Sequence, residues 1–288
     1  MQDSIEILCV ELLDDHRPTV EALKKLARAR GLEFGWHYLL DLTWIIHNLG
    51  AIQGQRLMDA GAGTGVLQWY LAEVGAEVLS VDRGSRGELP LRFRRRYNVR
   101  GLRPQDLAPA SQVIRARLGQ SGGLSALGRD LLRLTGAARV TGRVIIYNQD
   151  LKTLVDIPDA SVDAVAAVSA LEHNTPESLP LVVAELMRVL KPGGLLLATL
   201  GAARDRDWFH EPSHGWNYTD ASLRELFGLS SATSSNYAQY DELFNALKEC
   251  AELRTGLASF YSRSGDNGMP WGKWDPQYQP VGVCKVKA

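Results

Sequence analysis

Leu57-Met58-Asp59-Ala60-Gly61-Ala62-Gly63-Thr64-Gly65-Val66-Leu67 decides how this chain is read. A short apolar strand ends in an acid, three glycines alternate with small residues, and an apolar run then resumes at helical spacing. Glycines in such a turn let a ligand approach the backbone more closely than a Cβ allows. The helix start behind them offers unpaired N–H groups. A dinucleotide fingerprint, Gly-x-Gly-x-x-Gly, needs its third glycine at position 66. That position is Val66, and the third glycine is Gly65. A glycine-rich turn that holds no ligand is the bland alternative.

Working outward, the 288 residues suffice for one large domain or one domain with an elaboration. Hydrophobic residues make up 45% and charged residues 23%, the ordinary balance of a soluble globular protein. No apolar run approaches the length of a membrane span, and Met1 to Asp15 lacks the order of a signal peptide. Cys9, Cys250 and Cys284 stand far apart without a Cys-x-x-Cys pair, which predicts reduced thiols in the cytoplasm and no metal site. The net charge of −1 hides an asymmetry. Between Arg83 and Arg143 stand fourteen Arg and no Lys against three acids, Glu88, Asp106 and Asp130.

Residues 1–50 read as helical, with Pro18 opening one helix that Gly31 stops and a second running from Trp36 to Leu49. Strand and helix patterns then alternate, the order of a parallel sheet covered on both faces. Strands are expected at about 55–60, 77–82, 143–147 and 195–200, with another ending at Ser169. Helices are expected at about 64–74 and 176–190. Residues 86–142 are too long for one connection and predict a helical insertion, with helices near 104–118 and 124–134. Helices near 219–228 and 241–250 follow, then strands at about 257–261 and 281–286. The expected organisation is an N-terminal helical lid over 1–50 and one large domain over 51–288.

The pattern Asp-x-Gly-x-Gly-x-Gly from Asp59 to Gly65 resembles motif I of the class I S-adenosylmethionine-dependent methyltransferases. Three further marks are similar to the small-molecule subgroup: Asp82 ending the next strand, Leu171-Glu172-His173 after the fourth, and Leu190-Lys191-Pro192-Gly193-Gly194 before the fifth. The resemblance implies a doubly wound, Rossmann-like, seven-stranded, mostly parallel α/β sheet with an antiparallel last strand. It implies S-adenosyl-L-methionine as cofactor. Asp59, Gly61, Ala62, Gly63, Thr64 and Gly65 would hold its methionine part, with the acid on the amino end. Asp82, beside Arg83, would accept the ribose hydroxyls. Asp150 would accept from the adenine amino group, Leu151 would offer its backbone N–H to the ring, and Ser169 would line the same site. For Asp82 the plain alternative is a surface turn residue, and for Asp150 a helix N-cap.

Methyl transfer from a sulfonium needs no protonation of the leaving group, so it rests on positioning and exclusion of water. An O or N acceptor that carries a proton gains from a base, and histidine suits that task. His173, His214 and His210 are the candidates; each could instead be a plain loop histidine. Trp36, Tyr38, Trp208 and Trp216 are candidate contacts for the acceptor. No Asn-Pro-Pro-Tyr of base-amino methyltransferases and no Pro-Cys of cytosine C5 enzymes is present. What remains is transfer to a small molecule or sugar, anionic ones included because of the arginine segment. An RNA-modifying enzyme, a silent cofactor-binding protein and a dehydrogenase stay as alternatives. Nucleic acid is disfavoured because Phe93 and Tyr97 alone interleave the early arginines. Oligomeric state and the acceptor's identity are not legible.

Overall fold

A computed structural model describes residues 2–119, 139–262, 269 and 271–288. Its strands are β1 (Ser4–Ile7), β2 (Arg56–Ala60), β3 (Glu77–Asp82), β4 (Arg100–Gly101), β5 (Arg143–Asn148), β6 (Val162–Val168), β7 (Leu190–Ala202), β8 (Trp208–His210), β9 (Gly215–Tyr218), β10 (Ser234–Ser235) and β11 (Gln279–Val286). The chain forms two compact units: residues 51–158, and residues 1–50 together with 159–288. The fold is a Rossmann-like α/β arrangement with a mostly parallel sheet.

In the 51–158 unit the strand order is β2-β3-β5-β4, all parallel. Val78, Leu79, Val81, Val144 and Ile146 are buried, as expected of strands covered on both faces. The helix Leu67–Glu73 follows β2. Its Trp69 ring lies 4.7 Å from both Phe93 and Tyr97. That aromatic cluster anchors the helix Leu91–Arg96 and with it the start of the arginine-rich segment. The short edge strand β4 was not foreseen. The expected helix near 104–118 divides into a 3-10 turn, Pro104–Asp106, and a helix, Ala110–Leu118. The helix expected at 124–134 lies outside the described residues.

In the other unit the order is β10-β1-β11-β7-β6. β6 and β7 are parallel, and β11 runs antiparallel to β7 on one side and to β1 on the other. Two expectations are corrected here. Residues 4–7 are a strand rather than helix, and the strand expected at 257–261 is a 3-10 turn, Ser259–Ser262. The edge beside β11 is thus filled from the N-terminal end. Ser4-Ile5-Glu6-Ile7 alternates, and Ile5 and Ile7 are buried, so pairing along β11 buries one face of a segment too short to be read alone. The helices Arg17–Arg30, with Gly31 left-handed at its end, and Tyr38–Leu49 follow the sequence closely. So do Leu179–Val189, Asp220–Phe227 and Tyr240–Glu249.

Trp44, on the helix Tyr38–Leu49, ties these pieces together. Its Nε1–H donates to Glu6 Oε2 at 2.8 Å, and its ring lies flush against the backbone of Gly282 in β11. A Cβ at position 282 would stand 2.6 Å from the Trp44 ring. Gly282→Ala should therefore lower stability by about 1–3 kcal/mol through overpacking. Urea denaturation with an unchanged midpoint would show that this contact does not constrain β11.

Candidate functional site

The glycine loop begins where β2 ends. Gly61 and Ala62 donate their N–H groups to the Val81 carbonyl at 2.9 and 3.0 Å, which pins the loop to the end of β3. Gly63 is left-handed (φ +46), a conformation that a side chain resists. A Cβ there would meet nothing closer than Asp82 Oδ2 at 3.9 Å. Asp82 closes the arrangement: Oδ2 accepts from Gly63 N–H at 2.8 Å and Oδ1 from Gly84 N–H at 2.6 Å. Thr64 and Arg83 are exposed beside it.

Asp59 is 2% exposed, and among the described residues its Oδ2 has no hydrogen-bond partner. Burial pushes its pKa up to about 7, and the positive charge of Arg86 opposes the rise. A buried carboxyl oxygen without a partner normally costs stability, and such groups gather where a ligand is held. Asp150 is exposed and its Oδ1 accepts from Lys152 N–H at 2.9 Å in a turn; among the described residues no helix begins there, so it is not the N-cap of the plain alternative. Leu151 follows, half-buried.

Three supporting residues escaped the sequence reading. Gln68 is fully buried, and its Nε2 donates to the Gly65 carbonyl at 3.2 Å. Its Oε1 accepts from Ser80 Oγ at 2.7 Å. The buried guanidinium of Arg86 donates to Ser80 Oγ and, at 2.7 Å, to the Ser80 carbonyl. A hydrogen-bonded chain thus runs from the glycine loop into the sheet. Its signal was two polar residues, Gln68 and Ser80, set among apolar ones.

The arginine-rich segment spends many of its charges internally. Arg94 donates to the carbonyls of Leu89 at 2.8 Å and Gly87 at 2.6 Å, and Arg96 pairs with Glu73 at 3.0 Å. Arg103 holds Asp106 at 3.0 Å, whose carboxylate in turn accepts from Asn148 N–H. Arg95 is exposed.

The remaining candidates lie in the other unit, around the carboxyl ends of β6 and β7. Ser169 is left-handed (φ +44) and its Oγ donates to Glu172 Oε1 at 2.5 Å. Glu172 is buried, its Oε2 has no hydrogen-bond partner among the described residues, and burial raises its pKa against the pull of His173 and Ser169. His173 Nδ1 bonds the His214 carbonyl at 2.8 Å, and His214 is itself left-handed (φ +51). His210 is buried beside Ser213 Oγ, 2.8 Å from Nδ1, and burial lowers its pKa, which favours neutral imidazole. Trp208 packs edge-on against His210 at 5.6 Å, and Trp216 packs against Phe209 at 5.4 Å. Trp36 is buried, its ring 5.2 Å from that of Tyr278. Tyr38 is held well above the ordinary phenol range by burial and the nearby Glu172 carboxylate.

Comparison with known proteins bears on this architecture. Residues 126–198 match the family described as a methyltransferase domain. Over 85 residues, 28% of this chain and 34% of the relative, it is 32% identical to a ubiquinone biosynthesis O-methyltransferase of Acinetobacter baumannii. Over 208 residues, 71% of this chain and 63% of the relative, it is 26% identical to a demethylmenaquinone methyltransferase of Renibacterium salmoninarum. The chain therefore spans from about a third to somewhat under two thirds of these relatives' lengths. A solved 1,6-didemethyltoxoflavin-N1-methyltransferase of Burkholderia thailandensis aligns over 96% of this chain and 86% of its own, with 14% identity and a TM-score of 0.42. Among the described residues no helix is long and apolar enough to cross a membrane. The chain is thus similar to methyltransferases through the match of residues 126–198 to their domain family, and it carries a glycine loop followed by the acid-ended strand β3.

Proposed function

We propose that the protein transfers a methyl group from S-adenosyl-L-methionine to an O or N atom of a small molecule in the cytoplasm. The observation that carries this is the glycine loop clasped by Asp82, with Asp59 at the end of β2 keeping one carboxyl oxygen, Oδ2, without a hydrogen-bond partner among the described residues. These residues fit the cofactor. The open face at Gly63 would admit its methionine part, Asp59 would take its amino end and Asp82 the ribose hydroxyls. Asp150 and Leu151 would meet the adenine. The bound cofactor supplies an electrophilic methyl carbon on sulfur. The protein's own part is to position the acceptor, exclude water and remove the acceptor's proton.

On the acceptor side, Glu172 Oε2 needs a hydrogen donor, which favours an acceptor presenting O–H or N–H. The names of the quinone-pathway relatives support a ring-bearing small molecule. The support for an anionic acceptor is the arginine excess of residues 83–143. Arg94 and Arg96 now have internal partners, so that refinement keeps less support than the O–H or N–H donor. His173, His210 and His214, with Trp208 and Trp216, border the same end of the sheet. In this reading the 1–50 helices cover the acceptor side.

Calorimetry with S-adenosylmethionine tests the cofactor assignment directly. Gly63→Val places a side chain in the cradle, and Asp82→Ala removes the ribose acceptor and releases two backbone N–H groups. Both variants should lose most of the affinity while remaining folded. Unchanged affinity in the pair would sink the reading. Full affinity without methyl release on any acceptor would favour the silent binding protein instead.

Asp59 gives a pH test. Its pKa is raised in the fold from 3.8 to about 7, so folding binds its proton more tightly than the unfolded chain does. The stability it contributes is complete below the unfolded value and is lost as pH rises toward 7. A cationic amino group placed beside it favours the charged carboxylate. Cofactor affinity should therefore climb as pH approaches 7, with proton release on binding. In Asp59→Asn the affinity should be weaker and the climb absent. A wild-type affinity flat over that range would remove Asp59 from the site.

A further inference from the structure

We propose that His37, oriented by Asp41, is the base that takes the acceptor's proton; this rests on the methyl-transfer reading and narrows it to one side chain. His37 stands immediately before the helix Tyr38–Leu49, and Asp41 lies one turn into it. The four-residue spacing sets both on one face. His37 Nδ1 and Asp41 Oδ2 are 2.6 Å apart, with His37 4% and Asp41 0% exposed. Among the described residues Asp41 Oδ1 has no hydrogen-bond partner, and His37 is the side chain hydrogen-bonded to this buried carboxyl. A lone carboxyl in the interior costs stability and adds little as a structural device. As an orienter of imidazole it has a use. An N–H at Nδ1 donated to carboxylate leaves the lone pair on Nε2 and stabilises the imidazolium once a proton arrives.

The surroundings place this imidazole on the acceptor side. Its ring meets those of Trp36 at 4.6 Å, Tyr38 at 5.2 Å and Tyr278 at 5.8 Å. Tyr278 in turn lies 5.3 Å from His210, and the charge of His37 is felt by Glu172. Among the described residues, the titratable groups facing it are Asp41 and Tyr38 from its own helix, Glu172 from the turn after β6, and Tyr278. The other candidate bases have weaker orienters: His173 uses a backbone carbonyl and His210 a serine hydroxyl. In the step, the acceptor O–H or N–H bond breaks and its proton goes to His37 Nε2. The freed electron pair forms the bond to the methyl carbon, and the carbon–sulfur pair returns to sulfur, leaving a neutral thioether.

The test uses the full chain and its His37→Gln and Asp41→Asn variants, each checked for folding by circular dichroism. Nitrogen-15 spectra of the histidine rings should put the His37 proton on Nδ1 in the wild type, and Asp41→Asn should disturb it. Turnover is read by release of S-adenosylhomocysteine with a panel of catechols, hydroquinones and primary amines. His37→Gln should lower kcat by about a hundredfold or more and abolish the acidic limb of its pH profile. Asp41→Asn should lower kcat by at least about tenfold, since it acts through the imidazole. Calorimetric affinity for S-adenosylmethionine should stay within about twofold in both. A wild-type His37 protonated on Nε2 overturns the proposal whatever the turnover. So does a His37→Gln variant that keeps kcat within a few-fold. A wild type that binds no S-adenosylmethionine overturns the methyl-transfer reading itself, which the affinity measurement reports separately.

Discussion

The bond from Gly63 N–H to the Asp82 carboxylate fixes the relation between two strand ends. β2 delivers the glycine loop and β3 delivers the acid, and the 2.8 Å contact holds a left-handed glycine against the sheet. Without Asp82 the loop would keep the Val81 carbonyl as its direct backbone anchor to β3. Gln68 supports the loop from below through the Gly65 carbonyl and passes the constraint through Ser80 to the Arg86 guanidinium. A backbone cradle for a ligand needs this rigidity, because its N–H groups and its open face cannot adjust as side chains do.

A second theme is the placement of buried carboxyls. Asp59, Asp41 and Glu172 each keep one oxygen without a hydrogen-bond partner among the described residues. Interiors rarely leave such groups unsatisfied, at a cost of about 1–3 kcal/mol each. In each case burial raises the pKa and a nearby cation or imidazole opposes the rise. Asp59 answers to Arg86 within the 51–158 unit, while Asp41 and Glu172 share the field of His37 within the other.

Several arginines of the segment 83–143 are held by partners within the fold. Fourteen arginines suggest an anion-binding surface. Yet Arg86, Arg94 and Arg103 donate to backbone carbonyls, and Arg96 and Arg103 pair with Glu73 and Asp106. The guanidinium fork suits this work, since one side chain can bind several carbonyls of an irregular segment that has few ladder bonds of its own.

What the sequence determined by itself was everything that depends on near neighbours. The strand, glycine turn and helix around Asp59 to Gly65 could be read because turn chemistry and periodicity are local. So could the helix bounded by Pro18 and Gly31, and the final strand, found at Gln279–Val286. Tertiary structure alone decided the rest. Ser4–Ile7 carries too few residues to declare a strand, and it became one because β11 offered an unpaired edge. Residues 257–261 carried a strand pattern and lost that place to it. The pairing of His37 with Asp41 was spaced for one helical face, but only burial made it a partnership, by removing the water that would otherwise have served both groups.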